Sequence, residues 1–399
     1  MTAIYLDHNA TTPLAPEVLD AMLPYLRDAF GNPSSPHGFA EQPAAAVREA
    51  RARVAALLGA QPRETHFTSG ATESIHWAIQ GALAMRPMQR QLITTAVEHP
   101  AVLKLCRHLE QQGITVIYLP VDREGRLRLR YLEAALTPQT ALVSLMAANN
   151  ETGVLFPIEE IAALTRARGV LLHVDAAQSA GKWPLDLGRT PIDLLSLSGH
   201  KLHGPKGVGA LYIRNGLNLP PLFFGTQERG RRGGSLNVPG IVGLGEACRL
   251  AAATLATATA TTPLAALRDR LEAGIRALFP DALVNGGNAE RLAGTSNVSF
   301  PGYDGEALVN RLDRAGIAVA NGAACAVGGS QPSHVLMAMH RDPARAQSAV
   351  RFSLSRYTTP AEIEQVLAVL PEVLSVLIPE VASGAVGGGG NHPAREYAP

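Results

Sequence analysis

From about residue 64 to residue 214 the chain alternates short β-rich runs with helical patterns, and no other feature narrows its possible folds as much. HFTSG gives way to ATESIHWAIQGALAM, then QLITTA to PAVLKLCRHLEQQ, then ITVIYLP. ALVSLMAA, IEEIAALTRAR, GVLLHVDA, DLLSLS and GVGALYI follow. Such alternation predicts an α/β fold built on a mostly parallel sheet with both faces covered. In such sheets the ligand sits beyond the carboxyl ends of the strands. The polar residues to inspect are therefore those at which an apolar run stops.

An Ala/Thr-rich stretch, 250–262, separates this region from the helix-forming LAALRDRLEAGIRALF. Past residue 280 the pattern becomes strand, helix, loop, helix, strand and helix, which predicts a smaller α+β domain. The expected division is a large domain over 15–260 and a small one from 1–14 and 261–380. The 399 residues suffice for two or three domains with a sizeable core and no disulfide or metal staples. The tail 383–399, with four consecutive glycines, is expected to be disordered.

Composition excludes several classes. A net charge of +1 without a basic block gives no electrostatic footprint for nucleic acid. Three cysteines with no CxxC exclude a disulfide framework or zinc ribbon. The start, MTAIYLDHNATTP, has neither the basic region nor the apolar core of a signal peptide. Leu250 to Leu267 is uncharged and long enough to query as a membrane span, but five threonines and Pro263 favour a soluble helix pair. The expectation is a soluble, cytoplasmic protein that binds neither nucleic acid nor membrane.

The strand ends carry polar groups in order. TSG-ATES (68–74) puts hydroxyls at a strand-to-helix junction, where helix N–H groups and dipole favour a phosphate; ordinary capping by Ser69 or Thr72 is the alternative. VEHP leaves His99 just before a proline suited to a first helical turn, and ANNETG adds Asn150, which a plain turn would also explain. GVLLHVDAAQ ends a strand in Asp175, with Gln178 three residues later. That carboxylate can cap a helix, or it can hold the protonated ring nitrogen of a heterocyclic cofactor.

DLLSLSGHKLHGPKGVG runs from a strand into Ser198, His200 and Lys201. Only four of the 35 basic residues are lysines (Lys104, Lys182, Lys201, Lys206), a scarcity that coding bias explains. Two of the four nonetheless lie five apart in this Gly-rich loop, a poor place for a surface charge and a good one for a Schiff-base lysine. The loop fails the Walker A pattern, because Gly199 and Gly204 are followed by Pro205, Lys206 and Gly207. A metal site on His200 and His203 has no evident third ligand.

TSGATES, VEHPAV, ANNETG, HVDAAQ, SLSGHKLHGPKGVGALY, QERGRRGGSLNVPG, PSHVL and RFSLSRYTT together resemble the cysteine desulfurases of the NifS/IscS group. These are pyridoxal-phosphate (PLP) enzymes of fold type I, the aspartate-aminotransferase-like architecture. The resemblance runs from about Tyr5 to Leu370 and is closer to the nitrogenase-associated branch. It implies that Lys201 binds the cofactor covalently, that Asp175 pairs with the pyridine nitrogen, and that His99 stacks on the ring and serves in proton transfer. Gln178 would bond the phenolic oxygen, and Ala71, Thr72, Ser198, Gly199 and His200 would hold the phosphate. Relatives complete that cup with a threonine from the partner of a homodimer, in a G-T-E-N segment. Here the segment reads Gly234-Ser235-Leu236-Asn237, so Ser235 keeps the hydroxyl while Leu236 removes a charge. Asn150 and Arg351 would bind the substrate carboxylate, and Asn150 also borders the cofactor.

Of the cysteines, Cys106 and Cys248 fall on helical apolar stripes and read as core. Cys325 lies in AVANGAACAVGGSQPSHV, a run with no helical or strand periodicity, and its residues alone leave it open between reactive and buried. The resemblance makes it the nucleophile that takes sulfur from L-cysteine as a persulfide, leaving L-alanine, and passes it to an iron–sulfur scaffold protein. No resident metal is implied, only transient contact of that persulfide with a cluster under assembly. The local departure is N-G-A-A-C-A-V-G, where many relatives read S-G-S-A-C-T-S-G. Rival readings are a selenocysteine lyase or another class-V aminotransferase, and further off a non-catalytic assembly scaffold. Transamination needs no nucleophilic thiol, so Cys325 separates it from desulfuration.

Overall fold

The computed structural model describes residues 3–257, 262–321 and 331–377. Seven strands form the central sheet: β2 (Thr65–Thr68), β3 (Gln91–Thr95), β4 (Thr115–Leu119), β5 (Thr140–Met146), β6 (Leu171–Asp175), β7 (Leu194–Ser198) and β8 (Gly209–Ile213). Their spatial order is β2-β8-β7-β6-β5-β3-β4. β8 runs antiparallel to both its neighbours and the remaining pairings are parallel, so six strands point one way. Every residue of β5, β6 and β7 is buried, as expected of strands covered on both faces. The mostly parallel α/β reading of the sequence holds.

Helices cover the two faces and give two cores against the sheet. One contains Val143, Leu172, Val174, Leu195 and Leu197; the other, on the opposite face, contains Leu92, Leu142, Leu171 and Leu194 with Ile75, Trp77 and Ile79 of the helix Ala71–Met85. The two sets of strand residues alternate, because successive side chains point to opposite sides. Burying such a side chain contributes about 1.5–3 kcal/mol, so these alternating layers dominate the stability of the region.

The helix Val238–Ala256 is, among the described residues, long and apolar enough to span a membrane. Its sequence is better explained by the core: Ile241, Leu244, Ala247, Cys248 and Ala251 are all buried there. It packs against the helix Glu41–Leu58 so closely that a Cβ on Gly245 would lie 2.6 Å from the Ala50 Cα. That contact outweighs the intrinsic cost of about 1 kcal/mol for a glycine inside a helix. The helix Pro263–Leu278 starts after it, capped by Thr262.

A third core joins the chain's beginning to its later part. Ile4 and Leu6 pack with Leu271, Ile275, Val298, Phe300, Leu308, Val350, Phe352, Ile363 and Leu370. Around it lie the antiparallel sheet β12-β10-β9, with β9 at Leu283–Val284, β10 at Thr295–Ser299 and β12 at Ala349–Ser353. The parallel pair β1 (Ile4–Tyr5) and β11 (Ile317–Ala318) completes this part. After residue 280 the described elements include the strands and helices read from the sequence, with helices at Gly305–Arg314, His334–His340 and Pro360–Ser375, and add a short helix, Pro343–Gln347, and two two-residue strands, β9 and β11. Cys325 and the tail 383–399 lie outside the described residues.

Candidate active site

A cavity of about 1080 Å³ lies where the parallel strands of the central sheet end. β2 ends at Thr68 and leads into Ser69–Thr72; β3 leads to His99; β5 to Asn150 and Glu151; β6 ends in Asp175 and leads to Gln178; β7 ends in Ser198 and leads to His200 and Lys201. All of these residues except Thr68 line the cavity. Arg351 reaches it from β12, and Asn9, Ala10 and Thr11 close one side.

At the β2 end the chain turns sharply: Gly70 has φ +154°, and the helix Ala71–Met85 starts directly after it. The N–H groups of Ala71 and Thr72 lack intrahelical partners and, with the helix dipole, favour an anion. Ser198 and His200 face the same region. Glu73 also lines the cavity here, accepting the Ser69 N–H (2.9 Å) and pairing with Arg232 (2.8 Å), which offsets its charge. Close packing fixes the loop: a Cβ on Gly209 would meet the Gly70 Cα at 2.7 Å.

Asp175 is buried at the floor. Burial pushes its carboxyl up to about 6, against the opposing pull of the Ala177 N–H and the Lys201 cation. Its Oδ1 accepts that N–H at 3.0 Å. An incoming protonated ring nitrogen would supply the charge-assisted hydrogen bond that holds this carboxylate ionised. Lys201 Nζ donates to the backbone carbonyls of Asn9 (2.5 Å) and Ala10 (2.8 Å).

His99 caps the helix Pro100–Gln111: its Nδ1 accepts the Ala101 N–H at 3.1 Å, which leaves the ring proton on Nε2. Burial and the nearby Lys201 and His334 pull the imidazole down to about 4, so it is neutral at pH 7. His200, bonded to Thr11 through Nδ1 (3.1 Å), is likewise lowered to about 4 by burial and by Lys201, Lys206 and Lys182. The neutral rings accommodate a site rich in fixed cations.

Arg351 is 1% exposed. Its Nη1 donates to the Asn150 carbonyl (3.0 Å) and its Nη2 to Asp7 Oδ1 (2.8 Å), while the buried Nε finds no partner among the described residues. A guanidinium so placed retains N–H capacity for a carboxylate. Asn150 contributes its backbone oxygen to this arrangement rather than only a side chain. Beside it, buried Glu151 accepts a 2.5 Å hydrogen bond from Ser333, the cap of the helix His334–His340.

Two of the residues expected at the site do not line the cavity. Gly199 turns its N–H to the Val208 carbonyl (3.0 Å) and is walled by Pro205 and Val208. Ser235 is exposed on a loop outside the cavity of its own chain. The sequence reading also missed Asn9–Thr11, Gly70, Glu73, Lys104, Glu151 and His334, while Ser69 and Lys206, singled out in the sequence, line the cavity too. The polar run Asp7–Thr12, directly after an apolar IYL, was the available signal for the first group. Among the described residues no cluster of His, Cys, Asp and Glu could hold a metal.

The donor set, comprising an anion cradle at a helix N-terminus, a buried carboxylate, a lysine at a strand end and a neutral imidazole, fits a phosphorylated pyridine aldehyde. Comparison with known proteins agrees. The family model "Aminotransferase class-V" matches residues 4–366. A cysteine desulfurase of Cereibacter sphaeroides is 53% identical over 94% of this chain and 97% of that protein. Cysteine desulfurase NifS of Azotobacter vinelandii is 47% identical over 100% of this chain and 99% of its own length. A solved NifS-like protein superposes with a TM-score of 0.88 at 40% identity, covering 94% of this chain and all of that one. Another solved structure, SspA in complex with cysteine, has a TM-score of 0.78 at 36% identity over 89% of this chain and all of that one.

Proposed function

The chain belongs to the class-V aminotransferase family and is a cysteine desulfurase, and from that premise we propose how its residues divide the work. The observation that supports the division is the convergence of His99, Asp175, Gln178, Lys201 and Arg351 on one cavity from separate elements of the chain.

PLP is the cofactor of this proposal; when bound it supplies an electron sink for the bonds at the substrate's Cα. Lys201 would hold it covalently, Asp175 would accept the hydrogen bond of its ring nitrogen, and Ala71, Thr72, Ser198 and His200 would hold its phosphate. Gln178 would donate to its phenolic oxygen. Substrate L-cysteine places its carboxylate against Arg351, whose orientation Asp7 and the Asn150 carbonyl fix. Lys201 Nζ, at the β7 end of the cavity, would be the base that takes the Cα proton. His99 is neutral, with Nδ1 taken up by the Ala101 N–H and its proton on Nε2, and so would present an N–H donor to the ring and to groups beside it.

Cys325 attacks the substrate sulfur as thiolate. The new S–S bond forms as the substrate's C–S bond breaks, leaving a persulfide on Cys325 and, after protonation, L-alanine. The persulfide would then pass to a scaffold protein that assembles iron–sulfur clusters.

A two-fold dimer completes the site in this proposal, with Ser235 of each subunit reaching the other's phosphate. Supporting it, Ser235 is exposed and its loop is tied by the Gly233 N–H to the carbonyl of Phe223. Next to it Phe224 is 89% exposed, and Phe30 and Phe39 stack in the open with centroids 5.9 Å apart. Incubation with L-cysteine alone, followed by peptide mass, tests the assignment: one sulfur is gained on the peptide containing residue 325. Unchanged sulfur release by Cys325→Ala would overturn it.

A further inference from the structure

Lys182 is seven residues beyond Asp175 and has no part in the reaction described so far. Its backbone is brought inward by Gly181, which has φ +69° and leaves no room for a side chain: a Cβ there would fall 2.7 Å from the Ala251 Cβ and 2.8 Å from Leu202. Lys182 Nζ donates to Gln178 Oε1 at 3.1 Å, one helical-turn spacing away. Gln178 Nε2 in turn donates to the Asn9 carbonyl at 2.9 Å, the same oxygen that receives Lys201 Nζ.

These two bonds leave the Gln178 amide a single orientation. Rotating it by half a turn would set Oε1 against the Asn9 carbonyl, which is repulsive whatever the charge of Lys182, and Nε2 against the Lys182 nitrogen, which is repulsive when that group is an ammonium. In the orientation that remains, Oε1 and one N–H are used and the second Nε2 N–H is left to point at a ligand. We propose that Lys182 is a positioning residue that locks the Gln178 amide so that its remaining N–H is presented to the cofactor's phenolic oxygen. The proposal rests on the reading of the cavity as a PLP site with Lys201 as its covalent anchor.

The lock is strongest with Lys182 as an ammonium, which has donors and no lone pair; as an amine it still donates to Oε1, and the Asn9 carbonyl then sets the orientation. Burial and the cations of Lys201 and Arg351 pull Lys182 down to about 7, and it also faces His8, His200 and His203. An N–H donated to the phenolic oxygen stabilises its anion and loosens its hold on the proton of the Lys201–cofactor linkage. Removing that donor raises the pH at which the linkage loses its proton.

The test is a pH titration of the holoenzyme's visible absorption band in the wild type, Lys182→Met, Gln178→Met and the double variant. Each single variant is expected to raise the midpoint by about half to one pH unit, the size of one hydrogen bond. The double variant is expected to match Gln178→Met, because Lys182 acts through Gln178. No shift in Lys182→Met overturns the proposal. An equal further shift in the Gln178→Met background also overturns it, since Lys182 would then act by charge alone. Lys182→Ala gives the same comparison should the Met variant not accumulate. Failure of the underlying site reading has a different signature: Lys201→Ala would keep the wild-type band.

Discussion

Glu98, one residue before His99, offers a quantitative check on the electrostatics beneath the site. It is fully buried. One oxygen accepts Thr95 Oγ1 (2.6 Å) and the Met146 N–H (3.2 Å), while the other has no partner among the described residues. Burial, reinforced by the neighbouring Asp175, pushes the carboxyl up to about 8 despite those two bonds. In the unfolded chain a glutamate titrates near ~4.3. Between these values the folded protein keeps a proton that the unfolded chain has released, so stability falls as pH rises through the window. The contribution is fully present below the unfolded value and is lost towards pH 8. The slope is about 1.4 kcal/mol per pH unit. Glu98→Gln is neutral throughout and removes this slope, whatever constant cost it adds. The difference in unfolding free energy between wild type and variant is expected to move by about 3 kcal/mol between pH 5.5 and 7.5, in favour of the variant. Urea unfolding of both holoenzymes at the two pH values, followed by circular dichroism, measures it. Titrating groups that do not interact with position 98 are shared and cancel, and with PLP bound the neighbouring Asp175 is held ionised in both proteins. Parallel pH dependences would refute a buried, proton-bearing Glu98.

Further outcomes concern the site itself. Cys106 and Cys248 are 0% exposed and burial pushes both thiols up to about 12, so a disulfide reagent is expected to titrate one thiol per native chain and three after denaturation. Arg351→Lys loses the planar fork and is expected to raise KM for L-cysteine about tenfold, with a smaller effect on kcat, in steady-state alanine assays. Asp175→Asn removes the charge opposite the ring nitrogen and is expected to lower kcat/KM about a hundredfold or more in the same assay. Gly209→Ala drives a methyl group into Gly70 and the Leu197 carbonyl; equilibrium dialysis is expected to show PLP affinity weakened about tenfold.

The central sheet was legible because most of its strands are short apolar runs, and the polar residues that follow β3, β6 and β7 or end them marked His99, Asp175 and Lys201. Asn9 and Ala10 escaped notice because they meet Lys201 across nearly two hundred residues of chain; only the third core, which seats Ile4 and Leu6 among residues 271–374, brings them there. Gly199 illustrates the reverse limit. It sits within the right motif, but whether a backbone N–H faces the cavity or the Val208 carbonyl depends on local turn geometry that residue type does not encode. Glu98 and Glu151 resemble surface carboxylates in sequence and become buried only when β5 and the helix His334–His340 close over them. Lys182 has no motif of its own, and its part in the site depends on a spacing of four residues and one glycine.

The central claim is that sulfur leaves L-cysteine by attachment to one thiol of this chain. Purified holoenzyme exposed to L-cysteine without any acceptor, digested and weighed, tests it most directly. The account expects a gain of one sulfur atom on the peptide that carries Cys325, with the peptides of Cys106 and Cys248 unchanged and no gain in Lys201→Ala. Sulfur found on another cysteine, or alanine formed at the wild-type rate by Cys325→Ala, would contradict it.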